Sequence, residues 1–103
     1  MSEIDHKKRI EDLINGNRVF IFMKGAGDAP ACRFSAQVVE LMNEYEVKFG
    51  YFNVFDDEEI RQAIKDFTGW PTIPQVFVEG KFIGGADILQ ELHETGELKA
   101  IIG

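Results

Sequence analysis

The run Val19-Phe20-Ile21-Phe22-Met23 constrains this chain more than any other feature, because it is five consecutive apolar, β-prone residues with no polar break. Alternation of polar and apolar residues would suit a strand with one wet face. An unbroken run suits a strand buried on both faces, which requires covering layers on either side. A chain of 103 residues with 45% apolar residues and nine Phe can supply those layers within one domain, 1–103, without a disulfide or a structural metal.

The rest of the sequence is cut into short elements by glycine and proline. Ile4, Ile10, Leu13 and Ile14 recur at helical spacing until Asn15-Gly16-Asn17, which stops that helix. The stretch from Lys24 to Ala31 contains Gly25, Gly27 and Pro30 and reads as a loop. A helix then opens near Cys32, with Val38, Val39, Leu41 and Met42 on its apolar face. Phe49 to Phe55 returns to strand, and Asp56-Asp57-Glu58-Glu59 offers an N-cap with a capping-box partner for a helix through Ile60, Ala63, Ile64 and Phe67. Trp70-Pro71-Thr72-Ile73-Pro74 is too proline-rich for helix or central strand. Gln75 to Glu79, Gly80 and Lys81 to Ile83 form a hairpin, and a last helix carries Ile88, Leu89, Leu92 and Leu98. A right-handed β-α-β crossover makes the first two strands parallel, while the hairpin is antiparallel. The expected fold is therefore α/β, a four-stranded mixed sheet with helices on both faces, which is the thioredoxin-like arrangement.

Charge and residue counts exclude several functions. A net charge of −7 gives nucleic acid no broad electrostatic footprint. No apolar run reaches membrane-spanning length, and the polar start Met1-Ser2-Glu3-Ile4-Asp5-His6 lacks the h-region of a signal peptide and the look of a transit peptide. The expectation is a cytoplasmic protein. Cys32, His6 and His93 are too few and scattered for a structural zinc site, and the acidic run from Asp56 to Glu59 lacks the glycine and distal glutamate of a calcium loop.

Cys32 follows a strand and a loop and stands where a helix begins. Free backbone N–H groups and the helix dipole stabilise a thiolate there, below the free value of roughly 8.5. A lone cysteine is more commonly a small buried hydrophobe, so position alone leaves both roles open. Ser35 stands where a Cys-x-x-Cys motif would place its second thiol. A hydroxyl cannot resolve a mixed disulfide, so any exchange by Cys32 needs an outside thiol.

Cys32-Arg33-Phe34-Ser35 resembles the Cys-Gly-Phe-Ser motif of the monothiol glutaredoxins. The resemblance includes Lys24-Gly25, Pro30, Asp56-Asp57, Ile60-Arg61-Gln62, the run Trp70-Pro71-Thr72-Ile73-Pro74-Gln75-Val76, and Gly84-Gly85 with Asp87-Ile88. It covers roughly Val19 to Leu98. It implies a groove for glutathione beside Cys32, and a 2Fe-2S cluster held between two protomers by two protein thiolates and two glutathione thiolates. Cys32 would be the redox-active thiol and the one protein ligand per subunit. Lys24 and Arg61 match positions for the glycine carboxylate of glutathione. Read alone, Lys24 would be a solvated strand-end lysine and Arg61 a helix-surface partner for Asp57 or Glu58. The resemblance also implies a cis Ile73-Pro74 bond, with the Ile73 backbone pairing the cysteinyl part of glutathione. Ala86 and Asp87, at the start of the last helix, would take the γ-glutamyl end. Asp87 read alone is an N-cap with Gln90 as its capping-box partner. Phe34 is expected beside the thiol and Trp70 as a brace for the Ile73-Pro74 turn. His6 and His93 have no motif linking them to Cys32.

The family to which the chain is similar thus implies a carrier or scaffold for iron–sulfur assembly and redox homeostasis, monomeric as apo protein, homodimeric with cluster, and served by iron–sulfur assembly proteins. The alternative is a glutathione-dependent thiol oxidoreductase of weak activity, and a third reading is an adaptor whose thiol is incidental. Arg33 departs from the usual glycine. A guanidinium beside the thiolate is expected to lower its pKa and, with its bulk, to tune cluster lifetime while leaving glutathione binding intact. Lys24, Arg33 and Arg61 are accordingly expected to gather around the thiol.

Overall fold

The alternation of side chains along a strand sends Val19, Ile21 and Met23 to one face of the sheet and Phe20 and Phe22 to the other. All five are buried. The computed structural model describes residues 3–103. Met1 and Ser2 lie outside the described residues, as does the side chain of Ile4. The elements are α1 (Glu3–Asn15), β1 (Val19–Met23), the two-residue strands β2 (Gly25–Ala26) and β3 (Ala29–Pro30), α2 (Arg33–Glu44), β4 (Gly50–Asn53), α3 (Glu58–Thr68), β5 (Gln75–Val78), β6 (Lys81–Gly84), α4 (Ala86–Thr95) and α5 (Glu97–Ile102).

The main sheet has the order β4-β1-β5-β6. β1 pairs parallel with β4, antiparallel with β5, and β5 pairs antiparallel with β6. One face of β1 packs with Val38, Leu41 and Met42 of α2, Leu89 of α4 and Leu98 and Ile102 of α5. The other packs with Ile10 and Ile14 of α1 and Ile60 and Ile64 of α3. Phe22 anchors this second layer, with its ring 5.2 Å from Phe20 and 5.8 Å from Phe77, both edge to face. The expected four-stranded mixed sheet between two helical layers is what the chain forms.

Four local boundaries differ from the sequence expectation. The strand expected to reach Phe55 ends at Asn53, whose Oδ1 accepts the Phe55 N–H at 3.0 Å and the Gly25 N–H at 3.0 Å, and a 3-10 turn over Val54–Asp56 follows. The loop after β1 contains the β2–β3 ribbon. Gly25 sits at φ +90, and a Cβ there would lie 2.4 Å from the Ala31 nitrogen, so only glycine allows the ribbon to turn back on itself. The last helix is two, broken at Gly96 (φ 84), with Leu98 beyond the break still in the core. Asp57 is the N-cap of α3: its Oδ1 accepts the Glu59 and Ile60 N–H groups at 3.0 and 3.2 Å. The residue at the third helical position is then Ile60, so no capping box forms.

Arg9 joins α1 to that cap. Its guanidinium donates to Asp57 Oδ2 at 2.7 Å and lies over the Phe52 ring at 5.3 Å. The Arg9 bond, with the Ile60 and Glu59 N–H groups, holds the Asp57 carboxyl below its ordinary range. A carboxyl depressed in the folded state contributes stability above its unfolded value, near 3.9, and loses it as pH falls through the folded value. Asp57→Asn keeps a good cap but removes the charge. Urea unfolding should show the variant less stable by about 0.5 kcal/mol at neutral pH, given the partly exposed pair. The gap should close on acidification below the folded pKa.

Candidate active site

β1 ends at Met23, and the next residue delivers Lys24 to the edge of a cavity of about 510 Å³. Its lining is drawn from five parts of the chain. Lys24 follows β1, Phe34 lies in the first turn of α2, and Arg61 and Lys65 come from α3. Trp70 to Pro74 form one wall, and Gly85, Ala86 and Asp87 open α4. Lys24, Arg61, Ile73, Ala86 and Asp87, far apart in sequence, are thus brought to one cavity next to the first turn of α2.

Cys32 is the N-cap of α2, in extended backbone (φ −147, ψ 152). Its Sγ accepts the Ser35 N–H at 3.4 Å, and the Ser35 hydroxyl lies 3.6 Å away. The thiol is free and partly exposed. Partial burial pushes it up. The Ser35 N–H, the Ser35 hydroxyl, the Phe34 N–H and the charge of Lys24 together outweigh that and hold the thiol below its ordinary value. The reactive reading of Cys32 therefore has its physical basis, and the buried-hydrophobe reading does not hold. Ser35 is fully buried, and its Oγ also accepts the Lys24 N–H at 3.1 Å. The residue at the second-thiol position thus ties Lys24 and the thiol together.

Arg33 does not behave as expected. It is not among the groups that lower the thiol, nor among the residues lining the cavity. Its guanidinium carbon instead lies 5.1 Å from the Phe34 ring centroid, a cation–π contact that draws the charge onto the aromatic ring. The cation beside the thiol is Lys24. Lys65 takes the place expected of Arg33 in the basic cluster, and sequence reasoning passed over it. The signal was present, since Lys65 is one helical turn after Arg61 and shares its face.

Arg61 combines both of its readings: it lines the cavity while its Nη1 contacts Glu58 Oε1 at 3.1 Å. Asp57, its other candidate partner, belongs to Arg9. Asp87 is not the N-cap of α4. Gly85 is, without a side-chain cap, and Gln90 accepts from Gln37 Nε2 at 3.2 Å instead of closing a capping box. The Asp87 carboxylate is therefore left to the cavity. His6 contacts Glu59 at 2.9 Å and His93 contacts the Tyr45 hydroxyl at 2.7 Å; neither is near Cys32 in any contact.

The wall from Trp70 to Pro74 is shaped from behind by Gln75, which is fully buried. Gln75 Nε2 donates to the Trp70 and Thr72 carbonyls at 3.0 and 3.2 Å, and its Oε1 accepts the Thr68 hydroxyl at 2.9 Å. Thr68 Oγ1 in turn accepts the Trp70 N–H at 3.1 Å. The Ile73-Pro74 bond is cis. Gly85 lets this wall approach α4, since a Cβ there would lie 3.0 Å from the Pro74 carbonyl and 3.3 Å from Trp70 Nε1. That indole nitrogen is buried and has no hydrogen-bond partner among the described residues.

Comparison with known proteins decides the family. The Glutaredoxin family model matches residues 19–83, which include β1, the cysteine, α3, β5 and all but the last residue of β6. The chain belongs to the glutaredoxin family. It is 47% identical over 96 residues to a monothiol glutaredoxin of Synechocystis, covering 93% of this chain and 90% of that protein. It is 43% identical over 102 residues to a probable monothiol glutaredoxin of Rickettsia conorii, covering 99% of this chain and 95% of that one. Against Monothiol glutaredoxin-S17 of Arabidopsis thaliana the identity is 49%, covering 91% of this chain but only 19% of that longer protein. Among solved structures, the buckwheat glutaredoxin–glutathione complex superimposes with a TM-score of 0.86 at 25% identity, covering 97% of this chain and 89% of that one. With one cysteine and these relatives, this glutaredoxin is of the monothiol type.

Ser35 contributes more to the thiol than Lys24 does. Removing the hydroxyl in Ser35→Ala should therefore raise the midpoint of the pH profile for iodoacetamide alkylation of Cys32. Lys24→Met should raise it less. A Ser35→Ala profile superimposed on the wild type would remove the hydroxyl from this account.

Proposed function

We propose that this glutaredoxin binds glutathione in the 510 Å³ cavity and carries a 2Fe-2S cluster, as cargo, between two copies of itself. The observation that carries the reading is one thiol of lowered pKa beside a cavity with three cations, Lys24, Arg61 and Lys65, and no second cysteine. Glutathione is an anionic tripeptide thiol. The cations suit its carboxylates, the N-terminus of α4 and Asp87 suit its γ-glutamyl zwitterion, and the Ile73 segment suits extended backbone pairing. The buckwheat complex supports this by the likeness of its fold.

Among the described residues no group of three or more His, Cys, Asp or Glu side chains could hold a metal. A cluster therefore needs ligands from outside the chain. Cys32 can offer one thiolate, a second copy another, and two bound glutathiones the rest, a donor set of four thiolates that fits iron–sulfur chemistry. The part played by this chain's residues is to favour the Cys32 thiolate through Ser35 and Lys24 and to seat glutathione with its sulfur toward Cys32. Apo protein would be monomeric, loaded protein dimeric, and the delivery partners would be iron–sulfur assembly proteins. The cytosol, where thiols stay reduced, suits such a role.

The lowered thiol also favours a second reading, removal of glutathione from mixed disulfides. The Cys32 thiolate attacks the glutathione sulfur and the substrate sulfur departs as a thiolate, which takes a proton from water. A second glutathione thiolate then attacks the Cys32-bound glutathione sulfur, releasing oxidised glutathione and restoring Cys32.

Anaerobic reconstitution with iron, sulfide and glutathione, followed by absorbance and apparent mass, separates the two. The carrier reading expects a brown dimer that needs glutathione and that Cys32→Ser cannot form. A colourless monomer with robust deglutathionylation would favour the enzyme. A protein that does neither would leave the adaptor.

A further inference from the structure

Phe34 marks the boundary between the cavity and the outer rim of the thiol. It lines the cavity, yet it is 45% exposed, and the neighbouring Arg33 lies over its ring. Arg33 is exposed. Among the described residues the acid-paired side chains are His6, Lys8, Arg9, Arg61 and His93, so Arg33 has no carboxylate within ion-pair distance. A guanidinium over an aromatic face is held by the ring's charge distribution and can still donate N–H groups to an anion. Arg33 is therefore a guanidinium held at the Phe34 ring, without a carboxylate partner among the described residues, one residue from Cys32, and it neither lowers the thiol nor lines the cavity.

We propose that the Arg33–Phe34 rim selects partner proteins that carry an Asp or Glu beside their reacting cysteine. The inference rests on the cavity being the glutathione site and on the second reading above, removal of glutathione from mixed disulfides. With glutathione seated there, the rest of any mixed disulfide must project over the outer rim. In the step concerned, the Cys32 thiolate attacks the glutathione sulfur and the peptide–glutathione S–S bond breaks. A Cys32–glutathione S–S bond forms, and the peptide sulfur leaves as a thiolate that takes a proton from water. A carboxylate next to that departing sulfur meets the free edge of Arg33. The chain's net charge of −7 opposes acidic partners at long range, so the selection is local and set by one side chain.

The test is the second-order rate of reaction of reduced, full-length protein with two glutathionylated peptides, one with Glu flanking the cysteine and one with Lys. Wild type should prefer the Glu peptide by about fivefold at low salt, the size of one partly exposed ion pair, and the ratio should fall as salt is raised. Arg33→Gly should lower the ratio about fivefold from wild type and Arg33→Glu should lower it further. Arg33→Lys, which keeps charge but loses the fork, should fall between. Comparing the same two peptides across variants cancels differences in leaving group and in thiol pKa. An Arg33→Gly ratio equal to wild type overturns the proposal, as does a failure of either peptide to react. Failure of the glutathione reading shows differently: Lys65→Ala would then leave both rates unchanged, whatever Arg33 does to their ratio.

Discussion

Double burial of β1 is the constraint on which the rest of the molecule depends. Five apolar residues in one strand cannot face water on either side, so helices must cover both faces of the sheet. α1 and α3 take the Phe20–Phe22 face, and α2, α4 and α5 take the other. The cavity opens beyond the end of this strand. Lys24 follows directly, α2 starts from one layer, α3 contributes from the opposite layer, and the β1–β5 ladder places the segment before Gln75 alongside. The position of the site is a consequence of how the central strand is covered.

Two buried polar side chains, Ser35 and Gln75, stand out against that apolar interior. Burying a polar group is costly unless it is hydrogen-bonded, and both are fully engaged. Ser35 joins Lys24 to the Cys32 sulfur, while Gln75 gathers the carbonyls of Trp70 and Thr72 and the hydroxyl of Thr68. Each holds one wall of the same cavity. Packing alone has no directional preference that could aim a thiol or shape a proline-rich loop. These two networks supply it.

Much of the site was legible because its residues carry local signatures. Cys32 was marked by its residue type and its place at a helix start, while Lys24, Arg61, the Ile73-Pro74 turn and Ala86-Asp87 were assigned to the site by the family resemblance. What escaped depended on where long side chains go. Arg33 is next to Cys32 in sequence, yet its guanidinium settles on Phe34, because a flat aromatic face holds a cation that the positive helix N-terminus repels. Lys65 is remote in sequence from the cysteine, yet it shares the cavity because α3 turns the Arg61 face toward it. The caps shifted for a similar reason. Asp57 closes α3 with one oxygen, while Arg9, brought from α1, holds the other.

The sequence by itself determined the order of the main elements, the α/β architecture with helices on both faces of the sheet, and the identity of the single thiol. Periodicity and glycine–proline punctuation act over a few residues and need no distant partner to be read. Only the tertiary structure decided which cations face the thiol, which carboxylate is left free at the start of α4, and what Ser35 and Gln75 do. Those outcomes depend on contacts between residues tens of positions apart, where competing partners are sorted by distance and burial.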